Sequence, residues 1–189
     1  MNAMPQRQEL VHVNGVNVAA MFDTIDAVKQ DKELATFRFR ADNRWVNGGY
    51  NRSTIKSFYG CRAEDTTRSA PFVLAADEPP VLLGEDKAAN PAEYLLHALA
   101  ACLTTSTVYH AAARGIEIEA VDSQLEGDMD LRGFLGLSSE VRKGFECIRV
   151  RMRFKTQASP EAIFELAQYS PINDVVSKSL PVKLTIETY

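Results

Sequence analysis

The chain has 189 residues and a formal net charge of −4, with 46% of its residues hydrophobic and 24% charged. That length suits one domain with a sizeable core rather than two, and the apolar content excludes wholesale disorder. Mild acidity leaves no electrostatic footprint for nucleic acid or an anionic membrane, so neither is expected as a partner.

No cationic start precedes an apolar stretch and a small-residue cleavage site, so no secretory signal is visible. The longest apolar run, Ala98 to Leu103, is far too short to span a bilayer. Cys61, Cys102 and Cys147 are odd in number and widely spaced, which argues against a disulfide framework and against structural zinc. The expectation is a cytoplasmic protein with no cofactor and no metal.

Residues Met1 to Gly15 read as a loose lead-in. From Val16 to about Lys32, Val18, Met21, Phe22, Ile25 and Val28 form a helical stripe that Asn17 can cap, predicting a peripheral helix. Residues 1–34 are thus set apart from a main domain over 35–189. Ala35 to Val46 and Ser53 to Tyr59 alternate as strands around Asn47-Gly48-Gly49, an antiparallel hairpin. On it, Arg38, Arg40, Asp42 and Arg44 share a period-2 face. From about 61 to 89 the texture changes to charged and proline-marked sequence with short apolar patches at Phe72–Leu74 and Val81–Leu83, read as a packed irregular insertion.

Asn90-Pro91 opens the strongest predicted helix. Asn can cap, Pro suits the first helical position, and Glu93 in the first turn complements the dipole. The helix should run to about Arg114 and stop at Gly115. It is apolar or small on nearly every face, which predicts burial at the centre of the fold or of a dimer. Ile116 to Met129 and Phe145 to Thr156 follow as strands around a glycine-containing connection. Ser159-Pro160-Glu161 starts a helix carrying Ile163, Phe164, Leu166 and Ala167, Pro171 breaks it, and Asn173 to Ser177 adds a turn. Pro181 to Tyr189 is expected as a closing strand. The order predicts an α+β fold with helices packed on antiparallel sheet.

The run from Asn90 to Cys102 (NPAEYLLHALAAC) resembles the central-helix signature of the OsmC/Ohr family of osmotically induced and organic-hydroperoxide-resistance proteins. The likeness continues through Ala111 to Ile116, the strand around Glu126-Gly127-Asp128, and Tyr169-Ser170-Pro171-Ile172. It covers roughly Thr36 to Tyr189, and the N-terminal helix and Cys61–Asn90 look like additions of a longer branch. The resemblance implies antiparallel sheets wrapped around two long helices in an intertwined homodimer, with sites at the subunit interface.

It also implies that Cys102 is the peroxidatic cysteine, whose thiolate attacks a hydroperoxide to give a sulfenic acid. On a regular helix, Leu95, Ala98, Leu99, Thr105, Ser106 and Tyr109 share the Cys102 face, so Leu95, Leu99, Ser106 and Tyr109 are the expected lining for an apolar substrate. The family's activating glutamate falls at Ala92; Glu93 lies about 180° around the helix from Cys102 and is no substitute. The place of the resolving cysteine is held by Ser170, so an external thiol, or Cys61, would have to complete a cycle. The activating arginine implied for the first hairpin is assigned to Arg52, with Arg44 and Arg68 as alternatives. Cys147 reads as packing, and His97 and His110 as interior histidines. Two functions stay open: thiol-dependent reduction of organic hydroperoxides through Cys102, or a non-catalytic module that binds a small molecule in the dimer-interface pocket. A hydrolase built on Ser170 or Ser106 lacks any nucleophile-elbow motif.

Overall fold

Asn14 and Gly15 both take positive φ, 53° and 76°, the backbone a two-residue turn of this hand requires. Their turn joins the short strands β1 (His12–Val13) and β2 (Val16–Asn17). The computed structural model describes residues 12–178 and 181–188, so most of the expected lead-in, residues 1–11, lies outside the described residues. The described chain divides into two units, Asn17–Leu95 and His12–Val16 with Leu96 onward.

In the first unit, Asn17 caps helix α1 (Val18–Gln30): its Oδ1 accepts from the Ala20 amide at 3.0 Å. Val18 is buried and Met21, Phe22, Ile25 and Val28 are half-buried, the stripe their spacing predicts. The hairpin forms as β3 (Asp42–Asn47) and β4 (Tyr50–Ile55), antiparallel, with Arg44 opposite Arg52 and Asp42 opposite Thr54. Its first strand starts later than the alternation from Ala35 implied; between Ala35 and Asp42, Arg38 alone makes a bridge, to Tyr59. A second hairpin, β5 (Phe58–Gly60) with β6 (Ala63–Asp65), turns through Cys61 and Arg62, both at positive φ without a glycine.

The stretch expected to be irregular contains a further strand. β7 (Phe72–Ala76) pairs antiparallel with β4, making a three-stranded sheet ordered β3-β4-β7. The run Phe72-Val73-Leu74 suits a pleated surface, and pairing with β4 satisfies a row of its backbone groups. Beyond it the buried Asp77 gathers the chain: Oδ1 accepts from Glu78 N at 2.8 Å, and Oδ2 from Glu85 N at 3.2 Å and Lys87 N at 3.1 Å. The knot is tight enough that a Cβ on Gly84 would sit 1.7 Å from the Glu78 carbonyl oxygen.

Helix α2 (Pro91–Ala112) starts in the first unit and continues through the second. It stops where expected: Gly115 takes φ 68°, its amide reaches Ala112 O at 3.1 Å, and Ile116 N reaches Ala111 O at 2.9 Å. This is the doubly bonded helix terminus that a left-handed glycine permits.

In the second unit, β8 (Ile118–Asp128) pairs antiparallel with β9 (Cys147–Thr156) in the predicted two-strand unit, with the short α3 (Leu131–Phe134) in between. Helices α4 (Pro160–Ala167) and α5 (Pro171–Ser177) follow, capped by Ser159 and Ser170. A small core of Ala111, Ile163 and Leu166 packs with Ile116, Ile118, Phe154 and Ala158. Asn14 is tied to the same layer, donating to Ile116 O at 2.9 Å and accepting from Ile118 N at 2.8 Å. The expected closing strand is not formed within the chain: residues 181–188 carry no strand, and Val182, Leu184 and Ile186 stand 83%, 80% and 77% exposed. Their alternation is that of a strand, but no described edge of this chain meets it. The architecture is α+β with antiparallel sheets, as the element order predicted.

Candidate functional site

Which face of α2 the protein uses is decided by burial, because the helix is apolar nearly all round. Leu99, Leu103, Thr107 and Ala111 recur every fourth residue and are buried, forming the stripe that enters the core. Thr107 fits there because its hydroxyl donates to Leu103 O at 2.7 Å, leaving no polar atom unpaired. Cys102 lies beside this stripe and is half-buried; its Sγ stands 3.9 Å from Ser106 Oγ, one helical turn on. On the outer side Leu95 is 40% and Tyr109 53% exposed, whereas Leu99 is only 2% exposed. Of the lining predicted for Cys102, Ser106 is in contact with the sulfur, Leu95 and Tyr109 are open to the surface, and Leu99 is core. Within the single chain the helix is thus buried along this stripe, joined at its end by Ala112, and not on every face.

The start of the helix accounts for Glu93. Asn90 Oδ1 accepts from Glu93 N at 2.9 Å, and Glu93 Oε2 accepts from Asn90 N at 2.8 Å. This reciprocal cap uses the carboxylate to hold the first turn. Ala92, between them, is half-buried and offers no charge. Tyr94 anchors the same turn by donating from its hydroxyl to Ala75 O at 2.7 Å.

Ser170 is 1% exposed, and its Oγ accepts from Asn173 N at 3.2 Å, so the hydroxyl is committed to starting α5. All three cysteines are free thiols, with Cys61 exposed at the β5–β6 turn and Cys147 exposed at the start of β9.

Among the arginines considered for thiolate activation, Arg68 is engaged: it donates to Lys56 O at 2.9 Å and its guanidinium lies 5.2 Å from the ring centres of both Phe58 and Phe72. Arg44 and Arg52 stand opposite one another in the β3–β4 ladder, and neither makes a side-chain hydrogen bond or ion pair among the described residues. Both remain available to a further group.

A cluster around His110 gathers near the end of α2, where the sequence predicts only an interior histidine. The His110 ring stacks on Tyr169 with centroids 4.1 Å apart; Arg114 Nη1 lies 3.2 Å from His110 Nδ1, and its guanidinium is 5.8 Å from the Tyr169 ring centre. Burial, and then the Arg114 charge, hold the imidazole below its ordinary value. The four-residue spacing of His110 and Arg114 was the available signal; Tyr169 was not foreseeable from it.

The second unit also holds an apolar groove of about 590 Å³. Val150, Met152 and Phe154 of β9, Ile163 and Phe164 of α4, and Leu103 of α2 line it. None of Leu95, Leu99, Ser106 or Tyr109 lines it. Among the described residues no group of three or more His, Cys, Asp or Glu side chains could hold a metal ion, and no helix is long and apolar enough to cross a membrane.

The model of the OsmC-like protein family matches residues 84–187, a span that contains α2, Cys102 and every element of the second unit from Leu96 to the tail. Among solved structures, the chain is similar to an OsmC-like protein from Mycoplasma pneumoniae at 15% identity and TM-score 0.57, covering 75% of this chain and 89% of that one. It is similar also to a candidate osmotic-stress-induced and detoxification-response protein from Psychrobacter arcticus, at 14% identity and TM-score 0.52, covering 70% and 83%. An OsmC-like protein of unknown function from Vibrio cholerae matches at 12% identity and TM-score 0.50 over 73% and 93%. At these identities the likeness is one of fold. No curated protein matches the sequence significantly.

Proposed function

The chain belongs to the OsmC-like family, and from that premise we propose that it reduces organic hydroperoxides through the thiol of Cys102. The observation that carries this reading is the state of that residue: a free, half-buried cysteine on the family's matched helix, with a hydroxyl one turn away. The Cys102 thiolate attacks the outer peroxide oxygen; the O–O bond breaks, the alkoxide takes a proton and leaves as an alcohol, and the sulfur becomes a sulfenic acid. Because Ser170 caps α5, a thiol from outside the chain resolves the intermediate. It forms a mixed disulfide with loss of water, and a second external thiol returns Cys102 to its reduced form.

The resemblance assigns the activating cation to the first hairpin of a second copy, and Arg52 is the residue we assign to it. Two copies in the working protein are supported by apolar surface that one chain leaves open, on α2 at Leu95 and Tyr109 and along Val182, Leu184 and Ile186. Three free thiols fit a reducing compartment, the cytoplasm. The test is consumption of cumene hydroperoxide by the full chain in the presence of dithiothreitol. Cys102→Ser should abolish it while Cys61→Ser and Cys147→Ser retain it; folded Cys102→Ser protein with undiminished turnover would refute the reading.

The apolar groove favours a second reading, a non-catalytic module that carries a small apolar molecule. Native mass spectrometry of the purified chain distinguishes it: a co-purifying ligand together with hydroperoxide turnover no greater than that of Cys102→Ser supports carriage over catalysis.

A further inference from the structure

We propose that Arg44 and Arg52 together bind an oxyanion, the carboxylate or phosphate group of a small ligand, on one face of the β3–β4–β7 sheet. The inference starts from register: the two residues are direct cross-strand partners, so their side chains leave the same face a few ångströms apart. Like charges so placed work against the strand pairing that juxtaposes them. Two other arginines of this chain show how carboxylates balance such charges. Arg149 on β9 binds Glu126 at 2.6 Å and Asp128 at 2.8 Å, and Arg40 makes two bonds to Glu64, at 2.7 and 2.8 Å.

Arg44 and Arg52 have no such partner among the described residues. The nearest acid along the face, Asp42, is two residues from Arg44 and opposite Thr54, and it bonds neither guanidinium. The two arginines, Asp42, Asn43, Thr54 and Val73 line an open recess of about 570 Å³. Two planar forks on residues that line one recess suit the oxygens of a single anion, with the Thr54 hydroxyl as a further donor and Val73 as an apolar flank. Two fixed cations left facing each other in the free protein become favourable once an anion lies between them.

This proposal shares Arg52 with the thiol reading but needs no chemistry at Cys102. Binding is therefore measured on the full chain carrying Cys102→Ser, so that loss of peroxide turnover and loss of anion binding are read separately. Inorganic phosphate and acetate are titrated in parallel at low ionic strength, following backbone amide and arginine Nε–H resonances by NMR. The expected result is saturable shifts on β3 and β4 with at least one of the two anions, and the preferred anion tells phosphate from carboxylate. Arg44→Gln and Arg52→Gln should each weaken binding about tenfold or more, corresponding to one good charge-assisted contact. Arg151→Gln, at an exposed arginine of the β8–β9 pair, should leave it unchanged. Each glutamine variant should also melt no lower than its parent without anion, because the opposed charges are relieved. If a glutamine variant misfolds, Arg44→Met and Arg52→Met make the same comparison. Absence of saturable binding by both anions, or equal binding by folded Arg44 variants, would overturn the assignment.

Discussion

Asn90 and Glu93 cap each other, each side chain accepting the other's backbone amide. The acid closest to the family's expected glutamate position is thereby tied to the helix terminus, and Cys102 gains no carboxylate from it. Glu93→Ala should cost about 1 kcal/mol and lower Tm by about 2–4 °C, as loss of a helix cap does in a chain of this size. The alkylation rate of Cys102 should stay the same in that variant. A changed rate with an unchanged Tm would reverse the assignment, making Glu93 a partner of the thiol.

Asp77 holds the segment that leads into α2. Its carboxyl is kept below the ordinary carboxylate range, first by the hydrogen bond from the Lys87 amide, with the Glu78 and Glu85 amides adding to the effect against the opposing pull of burial. A depressed carboxyl stabilises the fold above its unfolded-state value, and the contribution is lost as pH falls through the lower folded value. Acid unfolding followed by circular dichroism should therefore be less steep in Asp77→Asn than in the parent. At neutral pH that variant should melt on the order of 5 °C lower, because an amide group must face backbone donors. A variant with the parent's neutral Tm and acid profile would remove Asp77 from this role.

His110 supplies a shift in a different pH range. Its folded imidazole is depressed by burial and by Arg114, so the unfolded chain binds its proton more readily. Stability should fall on acidification from the ordinary imidazole range near pH 6.5 down through the folded value, and His110→Gln should flatten that part of the profile. NMR titration should find His110 below the ordinary imidazole range, and Arg114→Gln should move it upward. An upward shift relative to free histidine in the parent would show the cause to be misassigned.

A protein that leaves Leu95, Tyr109, Val182, Leu184 and Ile186 open in one chain should be incomplete as a monomer. Sedimentation equilibrium is expected to give twice the chain mass, and Tyr109→Glu or Leu184→Asp should shift it toward one copy. A parent that sediments at the single-chain mass down the whole dilution series would rule out the pairing.

Much of the frame was legible because it is set by local chemistry. Asn17, Asn90-Pro91, Gly115 and Ser159-Pro160 mark helix ends whose hydrogen bonds close within a few residues. β7 escaped because Phe72–Leu74 shows no alternation and its partner β4 lies well upstream, so the pairing is nonlocal. The Asp77 knot escaped because Asp77-Glu78-Pro79-Pro80 reads as solvated acidic sequence until three amides converge on one carboxylate. At the site, uniform apolarity hid which side of α2 enters the core: Leu99 was grouped with Cys102 by angle and went inward with Leu103. Ser170 was legible as the place of a missing cysteine, but its role as a cap required the turn of α5 to be seen. Arg44 and Arg52 were each named as candidates, yet only the register made them a pair.

Asn14 gives the front of the chain a structural duty far from its own position. Its amide side chain bridges Ile116 and Ile118 at the point where the long helix hands over to β8. Trimming the chain to start at Val16 would thus strip two backbone groups of their partner, and a shortened version prepared for crystals or spectroscopy would be weakened at its centre rather than tidied at its edge.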